Sequence, residues 1–128
     1  MTQSENRALI ITSQNTLKAY LELVIEDVGL KPDVLASLHE GLAYLKNHTP
    51  RLIVLDELYE NGLDAPGFVW RVKRIKRLKH CPTIQIVHRA SERDRMTMEI
   101  SGADHVVELP IKNGPFRNLL ANLLSNER

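Results

Sequence analysis

The chain has 128 residues, 43% of them hydrophobic and 26% charged, and a formal net charge of +1. That suffices for one domain with its own core, without disulfides or a structural metal. The charge balance excludes a generally basic nucleic-acid binder and a disordered acidic chain. Cys81 is the single cysteine and has no partner for an internal disulfide, as expected of a reducing, cytoplasmic compartment. No apolar run approaches the ~18 residues of a membrane-spanning helix. Met1 to Asn6 lacks the charged-then-apolar pattern of a secretion signal.

Residues 1–6 read as a disordered polar tail, 7–125 as the folded domain and 126–128 as a second tail. Ala8-Leu9-Ile10-Ile11 is a first short strand. The polar set Thr12-Ser13-Gln14-Asn15-Thr16 follows and can cap a helix. That helix carries Leu17, Tyr20, Leu21, Val24 and Ile25 at helical spacing and stops at Gly29. A weaker strand spans Lys31 to Ala36, and Ser37-Leu38-His39-Glu40 has the pattern of a capping box. The helix it opens ends at Thr49-Pro50. Arg51-Leu52-Ile53-Val54-Leu55-Asp56 is the organising stretch: an apolar run, read as a strand buried on both faces, that ends in one carboxylate.

Glu57 to Gly67 reads as a loop punctuated by Gly62, Pro66 and Gly67. A third helix carries Phe68, Val69, Val72, Ile75 and Leu78 inward. Cys81-Pro82 breaks to a fourth strand, Thr83-Ile84-Gln85-Ile86-Val87. Ser91 is placed to cap a helix reaching Ile100, with a stop at Ser101-Gly102. Asp104 to Val107 is a fifth strand, Leu109-Pro110 a turn, and Phe116, Leu119, Leu120, Leu123 and Leu124 mark a last amphipathic helix. Five strands alternating with five helices predict a three-layer α/β/α domain with a five-stranded parallel sheet and right-handed crossovers. The best fit is a doubly wound, flavodoxin-like sheet of order 2-1-3-4-5, in which ligands sit at the carboxyl ends of the strands. Asp56 then lies at the working edge, although Asp is also an ordinary turn residue.

Over nearly its whole length the chain resembles the receiver domain of two-component response regulators. Leu52 to Asp56 resembles that family's third strand with its phosphoacceptor aspartate, and Pro82 to Val87 its fourth strand. Arg89-Ala90-Ser91-Glu92 resembles the turn that follows. Ser101-Gly102-Ala103-Asp104 resembles the Gly-Ala-Asp signature before the fifth strand, and Leu109-Pro110 stands where a Lys-Pro pair is usual. The resemblance implies a carboxylate that accepts a phosphoryl group. Magnesium held by an acidic pair and a lysine neutralise the charge, and a hydroxyl coupled to an aromatic residue forms the switch.

Measured against that pattern, most of the equipment is absent. The acidic pair falls on Thr12 and Ser13, the switch hydroxyl on Val87, the aromatic on Val106 and the lysine on Leu109. Asp56 alone remains, and one carboxylate makes a weak magnesium site. The expectation is a pseudo-receiver: a phosphorylation-independent, non-enzymatic interaction module with no cofactor. Its 87–111 face would meet a protein partner such as a kinase, another signalling protein or a fused output domain, and a homodimer is compatible with it. The alternative is a working phosphoacceptor at Asp56 with Mg2+.

A third reading, from another class, is a flavin-binding electron carrier. Thr12 to Thr16 would serve as a hydroxyl-rich phosphate loop, with Tyr59 and Trp70 to stack on the ring. The basic run Arg71 to His80 reads as the solvated face of a surface helix, since its apolar members fall every third residue and no aromatics interleave for nucleic acid. His88 follows the fourth strand near the pocket, where it can bond a ligand or serve as an ordinary surface residue. His39, His48, His80 and His105 have no metal-ligand spacing with Cys81.

Overall fold

The computed structural model describes residues 5–88 and 92–125, without the side chains of 92–95 and 98. The expected tails 1–4 and 126–128, the turn 89–91 and the Ser91 cap lie outside the described residues. The elements in order are β1 (Glu5–Ile11), α1 (Asn15–Asp27), β2 (Lys31–Leu35), α2 (Leu38–Leu45), β3 (Pro50–Leu55), β4 (Tyr59–Glu60) and β5 (Leu63–Asp64). They continue with α3 (Ala65–Lys73), a 3-10 turn (Lys76–Leu78), β6 (Thr83–Val87), α4 (Glu92–Ser101), β7 (His105–Glu108) and α5 (Asn113–Ser125).

The main sheet is parallel with order β2-β1-β3-β6-β7. Once the two short strands β4 and β5 are set apart, this is the expected 2-1-3-4-5. Alternate residues of each strand enter different cores. Ala8, Ile10, Leu52, Val54, Ile84 and Ile86 pack with α1 and α5. Leu9, Ile11, Ile53 and Leu55 pack with α2 and α3. Because both faces are covered, the strands read as continuous apolar runs instead of alternating ones. On the second face α2 lies close to the sheet: a Cβ at Gly41 would stand 2.5 Å from Ile11 Cδ1 and 3.1 Å from the Phe68 ring. Gly29 ends the first helix region in the left-handed conformation, φ 90°, as its placement predicts.

The structure corrects the sequence reading at four places. First, β1 begins at Glu5, so Glu5 and Asn6 are ordered strand, not tail. The Glu5 N–H donates to the Thr49 carbonyl (2.7 Å), and its carboxylate accepts from the Thr49 N–H (3.0 Å). Second, α1 has Gln14 at its cap without a side-chain bond; the Thr12 hydroxyl accepts the Gln14 N–H instead (3.1 Å).

Third, the loop 57–67 contains an antiparallel hairpin, Tyr59 opposite Asp64 and Glu60 opposite Leu63. Its turn is Asn61-Gly62, both at positive φ (46° and 83°), the pairing that a tight hairpin turn demands. Asp64 then caps α3, accepting from the Gly67 N–H at 2.8 Å, so the helix starts at Ala65. Fourth, the basic run is helical only to Lys73. Ile75 is extended (φ −84°, ψ 119°) and leads into the 3-10 turn. The break lets Arg77 reach the carboxyl end of α2, donating to the Leu45 and His48 carbonyls and to Thr49 Oγ1. Lys73 meanwhile donates to the Cys81 carbonyl (2.7 Å) and to Asp104 (2.8 Å). Arg71, Arg74, Lys76 and Lys79 keep the solvated character expected of the run.

Candidate functional site

Parallel register brings the ends of three strands to one edge. Ile11 lies beside Leu55, so Thr12 and Asp56, the next residues, meet across the strand ends. Leu55 pairs with Gln85, and β6 runs on to Val87, so His88 projects past the edge and can fold back over it.

Asp56 is 1% exposed. Its backbone N–H donates to the Ile11 carbonyl (2.8 Å), which fixes the residue at the tip of β3. Both carboxylate oxygens are taken. Oδ2 accepts from the Thr12 hydroxyl (3.0 Å), and Oδ1 accepts from the Glu57 N–H (2.7 Å). His88 Nε2 stands 2.8 Å from Oδ1. A carboxylate only accepts, so Nε2 carries the hydrogen of that bond. The side-chain amide of Gln14 lies 3.1 Å from the same nitrogen. The amide atom that faces it is Gln14 Nε2, so two nitrogens meet there. The backbone N–H of His88 in turn donates to Glu57 Oε1 (3.1 Å). The result is a closed hydrogen-bonded set drawn from the ends of β1, β3 and β6.

Of the residues singled out in the sequence, Thr12 and Asp56 come together and Ser13 does not: its side is exposed. Val87 is fully buried, and its carbonyl accepts the Leu109 N–H (2.9 Å). Val106 pairs with Gln85 across the β6–β7 ladder. Leu109 packs toward the α1–α5 core and, with Leu17, Tyr20, Pro110 and Ile111, lines an open apolar groove of about 520 Å³. Tyr59 is exposed on the hairpin, and the ring of Trp70 carries the Arg74 guanidinium 3.7 Å from its centroid.

The sequence left His88 undecided between a ligand contact and a surface residue, because its contact with Asp56 spans 32 residues. The length of the fourth strand was the one available signal. Gln85 is the polar residue inside the apolar run of the fourth strand. It is fully buried within β6, its Nε2 donating to the Ile86 carbonyl (3.0 Å). Its Oε1 is the only buried side-chain polar atom without a partner among the described residues. No group of three or more His, Cys, Asp or Glu that could hold a metal occurs among the described residues. No helix there is long and apolar enough to cross a membrane.

No family model matches the chain. Response regulator Rre1 of Synechocystis is 22% identical over 121 residues, 94% of this chain and 52% of that protein. Transcriptional regulatory protein AfsQ1 of Streptomyces coelicolor is 33% identical over 104 residues, 81% of this chain and 44% of that protein. The chain thus spans about half the length of the curated relatives it matches. Among solved structures, the signal receiver domain of a histidine kinase from Syntrophus aciditrophicus superposes with a TM-score of 0.85 at 23% identity, covering 95% of this chain and 92% of that one. The chemotaxis response regulator CheY4 of Vibrio cholerae gives 0.82 at 16% identity, covering 95% and 99%. Homologues and structural neighbours alike are response-regulator receiver domains of the CheY-like superfamily, and this chain has their fold.

Proposed function

We propose that this receiver domain has lost its phosphoryl switch and acts in two-component signalling by binding a protein partner. The observation that carries the reading is the state of Asp56. An attacking carboxylate needs a free oxygen and a cation beside it, whereas both oxygens of Asp56 are occupied by protein donors from Thr12, Glu57 and His88.

Magnesium does not fit this donor set. It demands near-octahedral oxygen ligands, and Asp56 is in contact with a hydroxyl, an amide and an imidazole instead of a second carboxylate. The neutral Thr12 and Ser13 supply no further charge, and Leu109, at the lysine position, turns into the α1–α5 core. We assign no catalytic role to the chain and expect it in the cytoplasm with its signalling partners.

The binding surface would be the 87–111 face. There α4 presents Met96 and Ile100 to solvent, 60% and 78% exposed. The edge strand β7 and the start of α5 line a cleft of about 250 Å³ through Val106, Val107, Pro110, Phe116 and Leu119. Apolar side chains at such exposure are what a partner buries.

The test is a titration of beryllofluoride with magnesium, followed by amide chemical shifts in the native chain and in Asp56→Asn. The expected result is no saturable change at millimolar magnesium. Saturable shifts around Asp56 that disappear in the variant would restore a working phosphoacceptor and overturn the proposal.

A further inference from the structure

We propose that the outer face of α3, with the 3-10 turn after it, is a docking surface for an acidic protein segment. This surface is separate from the 87–111 face, and the inference does not depend on the state of Asp56.

Charge is distributed unevenly along the chain. Six of the 17 Lys and Arg residues fall within 71–79, and no Asp or Glu stands between Asp64 and Glu92. A surface that serves solubility alone intersperses both signs. Elsewhere this chain does so: Asp33 meets Arg7, and Asp27 meets Arg117. Within the run, Lys73 meets Asp104 and Arg77 donates to main-chain carbonyls. Arg71, Arg74, Lys76 and Lys79 are exposed and form no ion pair among the described residues. The negative end of the α3 dipole accounts for Arg71 and Lys73 in its last turn, but not for Lys76 and Lys79 beyond it.

These cations are also ordered in space. Arg71 and Arg74, three positions apart, neighbour each other at the end of α3. Lys76 and Lys79 repeat that spacing across the 3-10 turn, where residues three apart lie in line. The bonds from Arg77 to the Leu45 and His48 carbonyls bring the end of α2 alongside, with exposed Lys46 between those two residues. Arg74 is held in place: its guanidinium lies 3.7 Å from the ring centroid of Trp70, which is 49% exposed. A stacked guanidinium keeps its N–H edge free for a carboxylate and loses less side-chain freedom on binding.

The same surface suits a protein better than a nucleic acid or a membrane. Trp70 is the only Phe, Tyr or Trp of residues 69–82, and Arg74 already covers its ring. Successive bases therefore have no platform to stack on. No second large apolar side chain of that stretch is exposed for insertion into lipid. Asp64 at the start of α3 and Asp104 beside Lys73 bound the patch. It fits a short acidic segment and repels a long polyanion at its margins.

Trp70 is the single tryptophan, so its fluorescence reports occupancy of the surface without a label. The experiment titrates a peptide of Asp, Glu and Ser residues into the native chain at about 0.15 M salt. A single-stranded DNA oligonucleotide of equal charge and phosphatidylserine vesicles are titrated in parallel. We expect a saturable change with the peptide, and amide shifts centred on Trp70, Arg71, Arg74 and Lys76. Arg71→Glu combined with Arg74→Glu should weaken binding by more than about tenfold. Lys18→Glu combined with Lys31→Glu makes the same charge change on exposed residues elsewhere and should alter binding by less than about twofold. All four side chains are exposed, so both variants keep the fold, which thermal melts check. No saturable change, or equal losses in the two double variants, would overturn the site. Tighter binding of the oligonucleotide or the vesicles than of the peptide would overturn the assigned partner. The beryllofluoride titration is read at Asp56 and bears on neither outcome.

Discussion

The two His–carboxylate pairs sit at opposite edges of the sheet and have nearly the same length, 2.8 Å for His88–Asp56 and 2.9 Å for His48–Glu5. Their surroundings differ. At the amino edge the acid is partly exposed and belongs to a chain of opposite charges. Glu5 meets His48 and Arg7, Arg7 bonds both oxygens of Asp33 at 3.0 Å, and Asp33 accepts the Tyr44 hydroxyl at 2.6 Å. His48 also stacks on Tyr44, ring centroids 4.4 Å apart. Burial and the Asp33 bond push the Tyr44 hydroxyl well above its ordinary value, keeping it protonated as the donor of that bond. At the carboxyl edge the acid is buried and its neighbours are a hydroxyl, a backbone amide and an imidazole. A contact distance thus says little about role. Burial and the charge of the next neighbour separate an exposed ionic clasp from a buried carboxylate held by neutral donors and an imidazole.

Changes at each edge test that contrast. The largest effect is expected for Asp56→Ala, which strands the Thr12 hydroxyl, the Glu57 N–H and the His88 ring. Losing an acceptor for buried donors costs about 2–3 kcal/mol. Urea unfolding would measure it, and an unchanged midpoint would show that water replaces the carboxylate freely.

Arg77→Ala comes next, at about 1–2 kcal/mol. It removes the donor to the Leu45 and His48 carbonyls and Thr49 Oγ1, but its site is only half-buried and water can reach part of it. Added salt should weaken the Glu5–Arg7–Asp33 charges at the same edge and leave the Asp56→Ala difference unaltered.

The smallest effect concerns pH. The bond to His48, and after it the Thr49 N–H, hold the Glu5 carboxyl below its ordinary value near 4.5. A carboxyl depressed on folding contributes stability above its unfolded pKa, and that contribution disappears as pH falls through the folded value. Between neutral pH and the region below 4.5 the native chain should therefore lose more stability than Glu5→Gln. Parallel losses in both chains would show that the clasp adds nothing.

Apolar runs, helical spacing and single stop residues act within a few positions of themselves, and they alone determined most of the architecture. Ile53-Val54-Leu55 had to be a doubly covered strand, Gly29 a helix stop and Asp56 a strand-end residue, because each follows from local chemistry. Asn61-Gly62 and Asp64 with Gly67 were equally local signals for the hairpin and the α3 cap. Gly and Pro punctuation marks hairpin and loop alike, so spacing alone does not separate the two. The tertiary structure decided the rest. The helix that periodicity would have continued stops at Lys73, and Arg77 beyond the break donates to carbonyls some 30 residues away. The Thr12 hydroxyl, from the set expected to cap the first helix, accepts the Gln14 N–H and donates to a carboxylate 44 residues on. His88 acquired a partner 32 residues back only because parallel register set three strand ends side by side. Side-chain partners across strand ends depend on register and on where each strand stops, and neither is encoded in the few residues around any one of them.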